Sequence, residues 1–259
     1  MRYFEKLQQR IDKVGNQLCV GIDPRPEWTP EGYTLDDFLK KLVEETAPYA
    51  ASFKPNIAYF EAMGLEGLRS LEKVCALIKE QDTETPIPIC LDVKRSDIGA
   101  TQAAYAKAYF EVMDVDSITI NPFMGYDSIE PMLDYAGKGV YLLAVTSNPG
   151  SADLERRRLE SGEYVYEVVT SFVEKAKQEE RATDLGLVVG LTNAGSSILE
   201  AVESIPLLIP GLGAQGGDVA NLKNRHSQPD LVNASRGISY LQPEKSFATK
   251  AEEFIASLA

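Results

Sequence analysis

Residues Ile87 to Asn121 read IPICLDVKRSDIGATQAAYAKAYFEVMDVDSITIN, and they hold one full repeat of the pattern that organises the chain. The apolar run from Ile87 to Lys94 has the length of a buried strand. A segment with helical spacing follows from Ile98 to Met113, and a second apolar run covers Ser117 to Asn121. Strand, helix and strand in that order demand a right-handed crossover and parallel neighbours. The rhythm continues on both sides. Further runs at Leu18 to Asp23, Ala51 to Lys54, Val140 to Thr146, Leu185 to Gly190, Ile205 to Pro210 and Asp230 to Ala234 bring the candidate strands to eight. Helical segments fall at Asp36 to Pro48, Glu66 to Gln81, Ser128 to Ala136, Glu163 to Arg181, Ser196 to Glu203 and Ala214 to Asn224, and Lys245 to Leu258 closes the chain. Eight such repeats predict an α/β fold, a single (β/α)8 TIM barrel over residues 1–259, with a doubly wound open sheet as the alternative. The longest interruption, Asn148 to Gly162, carries Arg156, Arg157 and Arg158 and reads as an extended loop after the fifth strand. It is either a solvated excursion or a part of the barrel mouth.

Asp and Glu total 39 against 26 Lys and Arg, a formal net charge of -13, so the average surface repels polyanions. Neither nucleic acid nor an anionic membrane is an expected partner. A small phosphate remains compatible where a few donors converge. Cys19, Cys75 and Cys90 form no CxxC pair and leave one thiol unmatched, which suits a reducing compartment, the cytoplasm by default. Met1 to Arg10 is polar and charged without an apolar core of the signal-peptide kind, and no stretch has bilayer length.

Parallel barrels place their reactive groups where strands end, so polar residues that terminate apolar runs are the candidates. They are Asp23, Lys54, Asp92 with Lys94, Asn121, Ser147, Pro210-Gly211 and Arg236. Asp92 and Lys94 stand two apart, and on a strand that spacing turns both side chains to one face. A buried ion pair that merely fixes the interior is the plain alternative, although such pairs stabilise weakly. Asp97, just before the next helix, is most simply an N-cap, and Thr101 alone would be unremarkable in a first helical turn. Gly211, Gly213, Gly216 and Gly217 let backbone approach a ligand closely, the helix after them offers free N–H groups, and Arg236 adds a fork of donors. Placed after strands seven and eight, they match the usual phosphate site of a barrel; tight glycine turns with a surface arginine are the alternative. The one histidine, His226, lies in a polar stretch before the eighth strand, which argues against a Ser-His-Asp triad or a histidine-built metal site. Cys19 and Cys90 fall on strands and read as packed thiols.

The run Asp92-Val93-Lys94-Arg95-Ser96-Asp97-Ile98-Gly99-Ala100-Thr101 resembles the orotidine 5'-phosphate decarboxylase family, whose marker is Asp-x-Lys-x-x-Asp at the third strand, then Ile and, four residues after the second Asp, Thr. The Lys-Arg-Ser-Asp-Ile-Gly context is similar to the second subtype, found widely in bacteria. Gly21-Ile22-Asp23-Pro24-Arg25, Phe53-Lys54-Pro55-Asn56, Thr146-Ser147-Asn148-Pro149-Gly150, the Pro210 to Gly217 stretch and Asn233-Ala234-Ser235-Arg236-Gly237-Ile238 extend the resemblance over nearly the whole chain. It implies cofactor-free and metal-free conversion of orotidine 5'-phosphate to UMP. By the same resemblance Asp23 and Lys54 hold the ribose, and Lys54 also orders Asp92 in a charged array with Lys94 and Asp97. Asp97 and Thr101 are implied to reach across a homodimer interface, giving composite active sites. Ser147 would face the pyrimidine, Pro210, Gln215, Gly216 and Gly217 would form a closing loop, and Arg236 would take the phosphate. Magnesium-dependent relatives differ at the second strand, where an acidic ligand replaces the lysine. A Schiff-base aldolase using Lys54 or Lys94, and a catalytically silent nucleotide-binding module, are the competing readings.

Overall fold

The computed structural model describes residues 1–210, Leu222 and 229–258. The expected helix from Ala214 to Asn224, the calls on Gly211, Gly213, Gln215, Gly216 and Gly217, and His226 lie outside the described residues. The eight expected strands are present as β1 (Leu18–Ile22), β2 (Ser52–Pro55), β3 (Cys90–Arg95), β4 (Ser117–Ile120), β5 (Gly139–Val145), β6 (Asp184–Val189), β7 (Leu207–Pro210) and β8 (Leu231–Ala234). Five of them are buried at every position, as strands covered on both faces must be. All pairings are parallel, in the order β2-β1-β8-β7-β6-β5-β4-β3. Bridges Phe53↔Ile89 and Asn56↔Asp92 join β2 to β3 and bring the two ends of that order together. An open doubly wound sheet would leave those ends apart, so the barrel is the fold.

The outer ring consists of α2 (Leu35–Thr46), α3 (Ile57–Glu61), α4 (Gly64–Glu80), α5 (Gly99–Ala106), α6 (Tyr126–Ile129), α7 (Val165–Gln178), α8 (Ser196–Ala201), α9 (Arg236–Ser239) and α10 (Phe247–Leu258), with α1 (Tyr3–Val14) ahead of β1. Local chemistry sets several ends. Thr34 accepts from the Asp37 N–H while the Asp37 carboxylate accepts from the Thr34 N–H, a capping box that starts α2. The expected helix from Ile98 to Met113 is α up to Ala106 and then widens into a π-helical turn over Lys107–Val112. The expected Ser128 to Ala136 helix is only α6 and a 3-10 turn, Glu130–Met132. Gly125 opens this unit at φ +96°, and Pro131 brings no N–H to continue it.

α1 was not foreseen from the polar look of the first ten residues. Tyr3, Leu7 and Ile11 recur every four residues and are buried against Cys19, Ala51, Cys90, Tyr141, Val188, Leu208 and Leu231, so α1 plugs the amino end of the barrel. Arg10 is 2% exposed yet fully engaged, donating to the Ala47 and Ala50 carbonyls at 2.6 and 2.9 Å and to Asp82 at 2.7 Å. The amino end is therefore closed, and the carboxyl end is left for a ligand.

Candidate active site

Alternate residues of β2, β3 and β4 point inward and change character from floor to mouth. Near the floor Ser117 donates to the Tyr3 hydroxyl at 2.9 Å, and Cys19 and Cys90 are packed beside them. Burial pushes the Cys90 thiol up to about 12 and Cys19 higher still, so neither is a nucleophile at neutral pH. One step toward the mouth stand Lys54, Asp92 and Thr119. Lys54 Nζ donates to Asp92 Oδ2 at 3.0 Å, Lys94 Nζ to Asp92 Oδ1 at 2.5 Å, and the Thr119 hydroxyl to Asp92 Oδ1 at 2.8 Å. The Lys54 and Asp92 side chains are 6% and 8% exposed, whereas that of Lys94 is 50% exposed and reaches the open mouth.

Burial alone would favour neutral forms here. Against it, Lys54 and then Lys94 hold the Asp92 carboxyl below the ordinary carboxylate range. Lys54 is likewise desolvated, but Asp92 and Asp23 hold its ammonium above the ordinary lysine value. The charges therefore persist across the physiological range. Asp92 and Lys94 do meet, but not on a regular strand: Lys94 has φ +45° and the β3–β4 register shifts between Leu91 and Arg95. A non-glycine residue in that region costs roughly 1–3 kcal/mol, which its surroundings must offset.

The other expected residues ring the mouth. Asp23 follows β1 with its Oδ1 buried and lacking a hydrogen-bond partner among the described residues. A Cβ on Gly21 would fall 1.9 Å from Ser235 Oγ, so glycine there lets the ends of β1 and β8 close together. Arg236 begins α9 with an exposed side chain that forms no hydrogen bond or ion pair among the described residues. Tyr240, just past α9, accepts from the Arg25 N–H at 2.8 Å and donates to the Asp23 carbonyl at 3.1 Å, tying this corner to the Asp23 turn. Ser147 is half-buried after β5, held close to β6 because Gly190 lacks a Cβ that would meet its backbone N at 2.8 Å. Pro210 ends β7. Asn121 caps the turn after β4, its Oδ1 accepting from the Phe123 N–H at 3.0 Å.

Asp97 and Thr101 stand apart from the array. Asp97 is not the N-cap of α5, a position held by Ile98, and its Oδ1 accepts from the Ile98 N–H at 2.8 Å. Among the described residues no hydrogen bond or ion pair joins Asp97 to Lys54, Asp92 or Lys94, and Thr101 is exposed on α5. The Asn148 to Gly162 loop folds back on the mouth: Glu155 accepts from the Thr146 N–H at 2.7 Å, and Asn193 donates to the Thr146 and Asn148 carbonyls at 2.9 Å. Thr119, Tyr240 and Asn193 were missed from sequence. For Thr119 the signal was there, since Ser117 and Thr119 are the alternate polar positions of an otherwise isoleucine-bearing strand.

A model of the orotidine 5'-phosphate decarboxylase / HUMPS family matches residues 16–250. The chain belongs to this family. Curated family relatives named orotidine 5'-phosphate decarboxylase include one from Dehalococcoides mccartyi (strain ATCC BAA-2266 / KCTC 15142 / 195), 39% identical with 98% of this chain and 94% of the relative covered. Another, from Verminephrobacter eiseniae, is 42% identical, covering 97% and 94%. The solved structure of Leishmania donovani OMP decarboxylase superposes with a TM-score of 0.83 at 33% identity, over 100% of this chain and 97% of that one. Among the described residues no helix is long and apolar enough to cross a membrane.

Proposed function

We propose that the chain decarboxylates orotidine 5'-phosphate to UMP and CO2 without a cofactor, as one barrel domain spanning residues 1–259. The observation that carries this reading is the buried Asp92 carboxylate gripped by two ammonium groups, with the half-exposed Lys94 at the barrel mouth. Loss of CO2 from pyrimidine C6 leaves an electron pair that the ring cannot delocalise. A fixed cation beside that carbon stabilises it, and Lys94 then delivers the proton. Asp92 would lie near the substrate carboxylate; two such charges about 4 Å apart repel by roughly 4 kcal/mol at an effective dielectric of 20, and departure of CO2 relieves this. That falls short of the ~8–23 kcal/mol enzymes typically remove from a barrier, so binding of the remote phosphate must contribute. Arg236 is free for that phosphate, joined by backbone N–H groups near it and by Gln215, Gly216 and Gly217. Asp23 and Lys54 take the ribose, Ser147 faces the pyrimidine, and Pro210 begins the closing loop.

Lys54 also argues against the competing chemistries. Its ammonium stands where magnesium-dependent relatives carry an acidic ligand, and it would repel a divalent ion. It is held protonated, whereas a Schiff base needs a neutral amine. The Lys94 to Gly99 context supports the second subtype, and three buried free thiols support the cytoplasm.

A homodimer with composite sites accounts for Asp97 and Thr101, which among the described residues form no hydrogen bond or ion pair with their own array. Ile98, Phe123 and Met124, 59%, 72% and 50% exposed on the neighbouring mouth turns of β3 and β4, supply apolar surface for a second copy. The experiment is direct. Purified protein treated with EDTA should consume orotidine 5'-phosphate and yield UMP, and Lys94→Ala should abolish turnover while still binding UMP. A magnesium requirement, or substantial decarboxylation by Lys94→Ala, would overturn the reading.

A further inference from the structure

β3 and β4 pair at Cys90↔Ser117 and Leu91↔Ile118, lose register, and pair again at Arg95↔Ile120. Between the last two points β3 advances four residues while β4 advances two, so Asp92, Val93 and Lys94 lie opposite Thr119 alone. The ladder is interrupted there, and the Val93 and Lys94 N–H groups both donate to Thr119 Oγ1, each at 3.1 Å. The hydroxyl proton goes to Asp92 Oδ1 at 2.8 Å. One proton and two lone pairs are all a hydroxyl has, and each is used. Thr119 is 1% exposed, so solvent does not share these bonds.

We infer that Thr119 is a positioning residue: its hydroxyl takes the place of the strand ladder across the bulge, holding the Lys94 backbone at positive φ while fixing the Asp92 carboxylate between the two lysines. The role suits threonine. The branched Cβ locks χ1, so the hydroxyl cannot swing away, and serine would keep the bonds without the lock. Valine fills the same space but removes the acceptor of the Val93 and Lys94 N–H groups and one of the two donors to Asp92 Oδ1. The assignment rests on the reading of the array as the decarboxylation centre, and it extends that reading to a residue that touches no substrate.

Thr119→Val is expected to lower kcat about tenfold to a hundredfold, the worth of a hydrogen bond to a charged group, with KM for orotidine 5'-phosphate within about twofold because Arg236 and the ribose contacts are untouched. Thr119→Ser should stay within a few-fold of wild type. Hydrogen exchange gives a readout independent of turnover: the Val93 and Lys94 amides should be protected in the wild type and exchange faster in Thr119→Val. A wild-type protein that fails to decarboxylate would sink the functional reading, and exchange alone would then judge the clamp. An active wild type with an equally active Thr119→Val and unchanged exchange would overturn the clamp. Should Thr119→Val not fold, Thr119→Ser should exceed Thr119→Ala about tenfold in kcat, and equal rates would overturn the inference.

Discussion

At Asp92 the energetics of the site reduce to one carboxylate. Taking it out of water is unfavourable, and Lys54 and Lys94 outweigh that cost, so its native pKa lies below its unfolded value of about 3.9. A depressed carboxyl contributes stability above the unfolded pKa and loses it as pH falls toward the native one. Asp92→Asn deprives the buried Lys54 ammonium of the carboxylate it is hydrogen-bonded to, and a loss of about 3 kcal/mol at pH 7 is expected by urea denaturation. The deficit should shrink below about pH 4, where the wild type begins to lose its own contribution. A deficit that stays constant down to pH 3 would contradict the assignment of Asp92 as the charged centre. Asp92 and Lys94 could be found in the sequence because an acid and a lysine at the end of an apolar run are conspicuous. Their geometry could not be, since nothing in Asp92-Val93-Lys94 announces that the strand bulges and that Lys94 turns to positive φ. Thr119 was hidden because threonine is ordinary in a strand.

Among the elements, the strands were the most legible, because a parallel barrel buries both faces and leaves continuous apolar runs. Helices were read less well where short-range chemistry intervened, as at Gly125 and Pro131 in the fourth crossover. α1 is hard to read for a different reason: its exposed face is so charged that three apolar residues at four-residue spacing do not stand out. Those residues close the floor under the array, and the rim is pinned by Arg2 to Asp184 and Lys6 to Asp116, each at 2.6 Å. Leu7 is 0% exposed, and Leu7→Ala should cost about 2–5 kcal/mol in urea denaturation as a cavity opens in the barrel floor. A loss under about 1 kcal/mol would show that α1 is dispensable to the barrel.

For the whole molecule, a second copy would stand opposite Asp97, whose carboxylate pairs within the described residues only with the Ile98 N–H. In an isologous dimer each mouth would combine Lys94 of one chain with Asp97 of the other, and the same contact would cover the exposed Ile98, Phe123 and Met124. The sequence carried this only through the resemblance at Asp97 and Thr101, because side chains directed at a second copy leave no periodicity within one chain. The central claim, an array that decarboxylates orotidine 5'-phosphate and is completed by a second subunit, is tested most directly by mixing inactive Lys94→Ala protein with inactive Asp97→Ala protein. A mixed dimer contains one site with both lesions and one with neither. Random exchange makes about half the dimers mixed, so activity should rise from background toward a ceiling of roughly a quarter of wild type. Activity that stays at background after subunit exchange has been demonstrated would contradict the account.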